Sequence, residues 1–119
     1  MARFFRDDEF KCPCCGESNM DEDFIERLDG LRAYCNFPFV ITSGYRCPAH
    51  NAEVSSTGNN GPHTLGKAAD IQASGERAYD LITLARSYGF TGIGMAKTFV
   101  HLDTCTKDER PSRPTAWPY

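Results

Sequence analysis

Residues 55–62 read Ser-Ser-Thr-Gly-Asn-Asn-Gly-Pro, a run of turn chemistry without one large apolar side chain. Such a run builds neither helix nor strand, so regular structure must lie on either side of it. A loop this long inside a small domain is usually a functional one. The whole chain has 119 residues, 40 % hydrophobic and 24 % charged. That supports one core and one domain, residues 1–119, and argues against wholesale disorder.

On the amino-terminal side, Asn19 with Glu22 three residues later predicts a helix start, and Phe24, Leu28, Leu31 and Cys35 recur at helical spacing. Asn36 and Pro38 end that helix, residues 39–42 read as a buried strand, and Pro48–Val54 as a short helix begun by proline. On the other side, residues 68–73 read as a strand. Ser74 caps a helix with Ala78, Leu81, Ile82, Ala85 and Tyr88 on one face and Gly89 at its end. Residues 92–96 and 99–103 suggest a hairpin over Lys97-Thr98, and 106–119 an extended wrap or a frayed tail. The expected fold is α+β, a small antiparallel sheet packed with two to three helices.

No stretch approaches the roughly 18 apolar residues of a membrane span. The net charge of −3 lacks the basic footprint of a nucleic-acid binder. Residues 1–8 hold no apolar run before their acids, so a protein made in the cytoplasm without a secretory leader is expected.

The chemistry-bearing residues are few. Of three histidines, His63 stands in the loop region with Asp70 seven residues on, and His101 alternates with Asp103 along the last expected strand. Two imidazoles and a carboxylate with an open fourth position make a catalytic zinc site. The same pattern also describes a surface histidine and a solvated aspartate. His50, on the short helix, reads as a structural histidine.

Three blocks, Ser43-Gly44-Tyr45-Arg46, His63-Thr64-Leu65-Gly66-Lys67-Ala68-Ala69-Asp70-Ile71 and Phe99-Val100-His101-Leu102-Asp103, resemble the signatures of the zinc-dependent D-Ala-D-Ala carboxypeptidase-like (M15) peptidoglycan peptidases, which include phage endolysins. The resemblance runs from about residue 10 to residue 103. It implies one zinc held by His63, Asp70 and His101, and Arg46 near the substrate, where its planar fork suits the carboxylate of a peptide stem. Tyr45 is a candidate donor to a developing oxyanion. Many relatives place an acid three residues before the last zinc histidine. Here that residue is Thr98, so Asp103 becomes the candidate general base, or the residue that orients the zinc shell. Gly61 stands where relatives usually have serine.

The expected function is hydrolysis of an amide bond in peptidoglycan stem peptides, one involving a D-amino acid. The expected setting is a monomeric endolysin-like enzyme that reaches the wall by a holin-type route. The alternative is a non-catalytic zinc-containing wall-binding or phage structural module of the same fold.

Six cysteines complete the inventory. Cys12, Cys14 and Cys15 crowd residues 1–18, while Cys35, Cys47 and Cys105 are scattered. Cys12 to Cys15 has the Cys-x-x-Cys spacing of half a zinc ribbon, but no second pair exists. Buried or structural thiols rank first, a disulfide staple second, and a second, structural zinc recruiting Cys47 third. A ribbon binding a partner or nucleic acid is disfavoured by the charge.

Overall fold

The computed structural model describes residues 4–58 and 60–119. Met1, Ala2 and Arg3 of the amino-terminal segment and Asn59 of the loop lie outside it. Three helices, α1 (Glu22–Cys35), α2 (Pro48–Val54) and α3 (Gly75–Ala85), accompany five strands: β1 (Ile41–Ser43), β2 (Ala68–Gln72), β3 (Gly92–Met95), β4 (Phe99–Asp103) and β5 (Thr115–Pro118). The α+β class expected from the sequence is the one found.

Helix α1 begins two residues later than Asn19 suggests. Asp21 is its N-cap, with its carboxylate accepting the Phe24 N–H at 3.0 Å. Both residues carry a suitable oxygen, and Asp21 is the one that stands next to the apolar face. Asn36 closes the helix in the left-handed conformation at φ 59°. Leu28 and Leu31 of α1 and Leu81 of α3 are fully buried and meet Ala69, Ile71, Val100 and Leu102 of the sheet. Each such leucine contributes about 2 kcal/mol by leaving water.

The sheet order is β1-β2-β4-β3-β5, with the first four strands antiparallel and β5 parallel to β3. The expectation of an antiparallel sheet therefore holds for four strands. The tail, expected as a wrap or frayed end, instead supplies a fifth strand along the hairpin's free edge. Side chains alternate across a strand. Ala69 and Ile71 of β2 and Val100 and Leu102 of β4 belong to the core under the helices. Asp70, His101 and Asp103 consequently project from the opposite face.

That second face is ordered by register. Asp70 pairs with His101, His101 with Gly94, and Gly94 with Trp117. One row over, Ala68 pairs with Asp103, Asp103 with Gly92, and Gly92 with Thr115. The two glycines leave room beside His101 and Asp103 of β4. A Cβ on Gly92 would strike the Asp103 carboxylate, and one on Gly94 would meet the rings of Trp117 and Tyr119.

Candidate metal centre

His63 reaches this face from the loop before β2. Gly66 turns the chain back at φ +71°, where a Cβ would collide with the Asn19 carbonyl oxygen. The ring of His63 is fixed by Nδ1, 2.7 Å from the Gly44 carbonyl oxygen. A carbonyl only accepts, so Nδ1 carries the proton and Nε2 presents its lone pair. Nε2 faces Asp70 Oδ1 at 3.4 Å, and His101 Nδ1 lies 3.0 Å from the same oxygen. Donor atoms of His63, Asp70 and His101 all lie within 4.8 Å of one another, and all three residues are buried.

The fit to zinc is testable from these distances. Bond lengths of about 2.0–2.1 Å to nitrogen and oxygen place tetrahedral ligand atoms ~3.4 Å apart. Separations of 3.0 and 3.4 Å are close to that edge. Charge agrees as well. Burial pushes the Asp70 carboxyl up, but its neighbours, the hydrogen bond from His101 foremost, outweigh it and hold the group well below the usual carboxylate range. Burial pushes His63 below its ordinary value, which keeps it neutral. Burial would do the same to His101, but Asp103 and Asp70 on its two nitrogens raise it instead. An ionised carboxylate, a neutral imidazole and a second imidazole that can release its Nδ1 proton form the donor set zinc takes with a position left open.

Asp103 lies behind His101. Its Oδ2 accepts from His101 Nε2 at 2.7 Å, and Arg113 binds both carboxylate oxygens, Nε to Oδ1 at 2.9 Å and Nη2 to Oδ2 at 2.6 Å. Asp103 is 0 % exposed, and the Cys105 N–H takes a further contact on Oδ1 at 3.3 Å. Burial pushes its carboxyl up, yet His101 and Arg113 together bring it down to about 2. Sequence offered Asp103 two roles, general base or orienter of the metal shell; the structure places it sealed, paired with Arg113 and off the cleft wall. Its contact with His101 Nε2 fixes the orientation of that ring, the geometry that the second of these roles requires.

A cleft of about 570 Å³ opens over these groups, walled by Arg46, His63, Asp70, His101, Trp117 and Tyr119 among others. Arg46 is steadied by Ser43 Oγ at 3.1 Å and Asn51 Oδ1 at 3.1 Å, and its Nη2 stands 3.6 Å from Asp70. Tyr45 does not reach the cleft. It is buried at 7 % exposure and absent from the cleft walls, because adjacent residues in the extended turn point to opposite sides and Arg46 takes the cleft side. Among the described residues Asp70 is the one carboxylate on the wall.

The sequence pattern did not single out the tail residues on the wall, of which three matter most. Arg113, Trp117 and Tyr119 all come from the tail. Trp117 lies 5.3 Å from the His101 ring, and the Arg113 guanidinium 4.9 Å from the Trp117 ring. Burial pushes the Tyr119 phenol up, so it stays a proton donor. Their signal was the alternation at 113, 115, 117 and 119, the period of a strand with one working face.

The cysteines divide. Cys12, Cys15 and Cys47 have sulfur atoms within 4.8 Å of one another, and the Cys14 thiol lies against Cys47. Cys35 and Cys105 stand apart, all six being free thiols. His50, half-buried on α2, joins neither cluster.

A family model described as Peptidase M15 matches residues 3–103, and the chain belongs to that family. The class of chemistry this family defines is peptide-bond hydrolysis. No curated protein matches the chain. Strand β5 and Arg113 lie beyond the matched residues.

Proposed function

We propose that this chain is a zinc-dependent peptidase that hydrolyses an amide bond in peptidoglycan stem peptides, one involving a D-amino acid, in an endolysin-like role. The observation that carries the reading is the convergence of His63, Asp70 and His101 at the floor of a cleft that Arg46 shares. His63 Nε2, an Asp70 oxygen and His101 Nδ1 are the atoms that would hold the ion. Zinc bound there supplies Lewis acidity toward a peptide carbonyl and acidifies water at neutral pH.

The chain's own groups do the rest. The Gly44 carbonyl and the Asp103–Arg113 pair fix the two imidazoles in the tautomers that turn a lone pair inward. Arg46, one-sixth exposed and already aimed, can receive a substrate carboxylate such as the end of a stem peptide. Tyr119 stays protonated and can donate to the oxygen on which negative charge develops. The cleft is complete within one chain, which supports a monomer as the working unit.

Purified sacculi and defined stem peptides digested with the zinc-loaded protein, with products read by mass spectrometry, test this directly. Cleavage is expected from wild type and its loss from a folded His63→Ala. Undiminished cleavage by His63→Ala, or none by zinc-loaded wild type, overturns the proposal. The scarcity of carboxylates on the cleft wall favours one second reading, a zinc-containing wall-binding module. Sacculus binding without any cut by the loaded wild type would establish it.

A further inference from the structure

We propose that Cys12, Cys15, Cys47 and Cys14 form a second, structural zinc site, a tetrahedral thiolate centre separate from the cleft. Its first support is a distance. Cys12 Sγ and Cys47 Sγ are 3.8 Å apart. Two sulfurs joined as a disulfide lie about 2.05 Å apart. Four thiolates at about 2.3 Å from a zinc ion stand ~3.8 Å from one another, the edge of the tetrahedron. The third sulfur, Cys15, falls within 4.8 Å of both.

The second support is the backbone. Cys12-Pro13-Cys14-Cys15-Gly16 is folded into a tight knuckle. The Gly16 N–H donates to the Cys12 carbonyl at 2.8 Å, the Cys12 N–H to the Glu17 carbonyl at 2.7 Å, and Gly16 takes φ +77°. In this fold backbone N–H groups of Cys14, Cys15 and Cys47 converge on the Cys12 sulfur, that of Cys47 at 3.4 Å. N–H groups aimed at one sulfur stabilise an anion there, and the thiolate is the form that binds metal.

The third support is ligand chemistry. Thiolates select zinc over harder cations, and a full thiolate set leaves no open position, as befits a structural rather than a catalytic ion. Cys14 lies outside that group of three, but its exposed thiol is against Cys47, which makes it the fourth ligand as the knuckle closes on an ion. Loading releases the protons of the four thiols. The site's effect is positional. Cys47 directly follows Arg46, and the Tyr45 N–H donates to the Phe10 carbonyl at 2.8 Å. A zinc clamp between residues 12–15 and 47 thereby fastens the amino-terminal segment to the turn that aims Arg46 into the cleft.

Metal analysis and cobalt substitution of the reduced full chain test this independently of any cleavage assay. Two zinc ions per chain are expected, and the cobalt form should show near-ultraviolet thiolate-to-cobalt charge transfer, which a His63, Asp70 and His101 site cannot produce. The double variant His63→Ala, His101→Ala should keep one metal and that absorption, whereas Cys12→Ser with Cys47→Ser should lose both and keep the cleft's metal. Cys14→Ser should keep the absorption at about three quarters of its intensity, one of four thiolates being gone. Because the cobalt spectrum is read on wild type, misfolding of a variant does not blunt the test. Wild-type protein with one zinc and no charge-transfer absorption overturns the site, as does a Cys12–Cys47 disulfide in the purified reduced protein. An unchanged spectrum in Cys14→Ser removes Cys14 from it.

Discussion

Two clusters of ligand-type side chains flank the same short turn, and they are built in opposite ways. His63, Asp70 and His101 are 4 %, 6 % and 3 % exposed, and two of them are held by the pairing of β2 with β4. Behind them Asp103, on β4 itself, and Arg113, just ahead of β5, are buried and complete the support. Cys12, Cys14, Cys15 and Cys47 sit instead on a surface knuckle and at the start of a seven-residue helix, with Cys14 and Cys15 exposed. A ladder of backbone hydrogen bonds holds its side chains in place without a ligand, whereas a knuckle of thiols gains its rigidity from what it binds. The buried cluster is thus organised for chemistry before an ion arrives, and the exposed one is organised by the ion.

The contrast can be broken at its strongest point first. Arg113→Met should lower unfolding free energy by about 3–5 kcal/mol, because it leaves Asp103 buried, charged and without its cation. Urea titration measures this, and a loss below 1 kcal/mol would mean the support is not needed. Cys12→Ser should cost about 3 kcal/mol in zinc-containing buffer, the stabilisation lost when an ion about a hundredfold above its dissociation constant no longer binds. A chelator should impose a similar loss on wild type and add little to the variant. Asp103→Asn should weaken zinc in the cleft about 10- to 100-fold by removing the partner of His101 Nε2, leaving the thiolate absorption intact. Competition with a chromophoric chelator separates the two sites.

Proton competition sharpens the comparison further. Asp70 and Asp103 raise the pKa of His101, so its Nδ1 proton persists above the pH at which an ordinary histidine loses it. Below that raised value each pH unit should lower the cleft's zinc affinity about tenfold, since a proton must leave for the ion to bind. Acid titration of the zinc-loaded Cys12→Ser, Cys47→Ser variant reads this from the cleft alone. The smallest effect is expected from Tyr45→Phe, which should change kcat/KM less than about twofold because Tyr45 lies off the cleft.

These differences also explain what the sequence could tell. His63, Asp70 and His101 were legible because their blocks hold a fixed spacing and because alternation along β4 follows from a two-residue period. The α3 face was legible for the same reason, a period that a single element carries within itself. Arg113, Trp117 and Tyr119 were not. Their segment reads as prolines and charges, and its strand exists only because the edge of β3 offers unpaired backbone groups to it. Asp103's role was half legible: the sequence placed it beside His101, but only the burial and the Arg113 fork decide between moving a proton and orienting a ring. Cys47 meets Cys12 across 35 residues, a closeness no local period encodes.

Strand β5 has one more implication, for anyone who would transplant this catalytic unit. The family match runs to Asp103, and every proposed zinc ligand of the cleft lies within it. A chain trimmed to that boundary would keep the whole ligand set and surrender the guanidinium that anchors it, along with the indole and phenol that roof the cleft. The portable module is therefore longer than the matched stretch, and its last strand travels with it as a wall of the cleft.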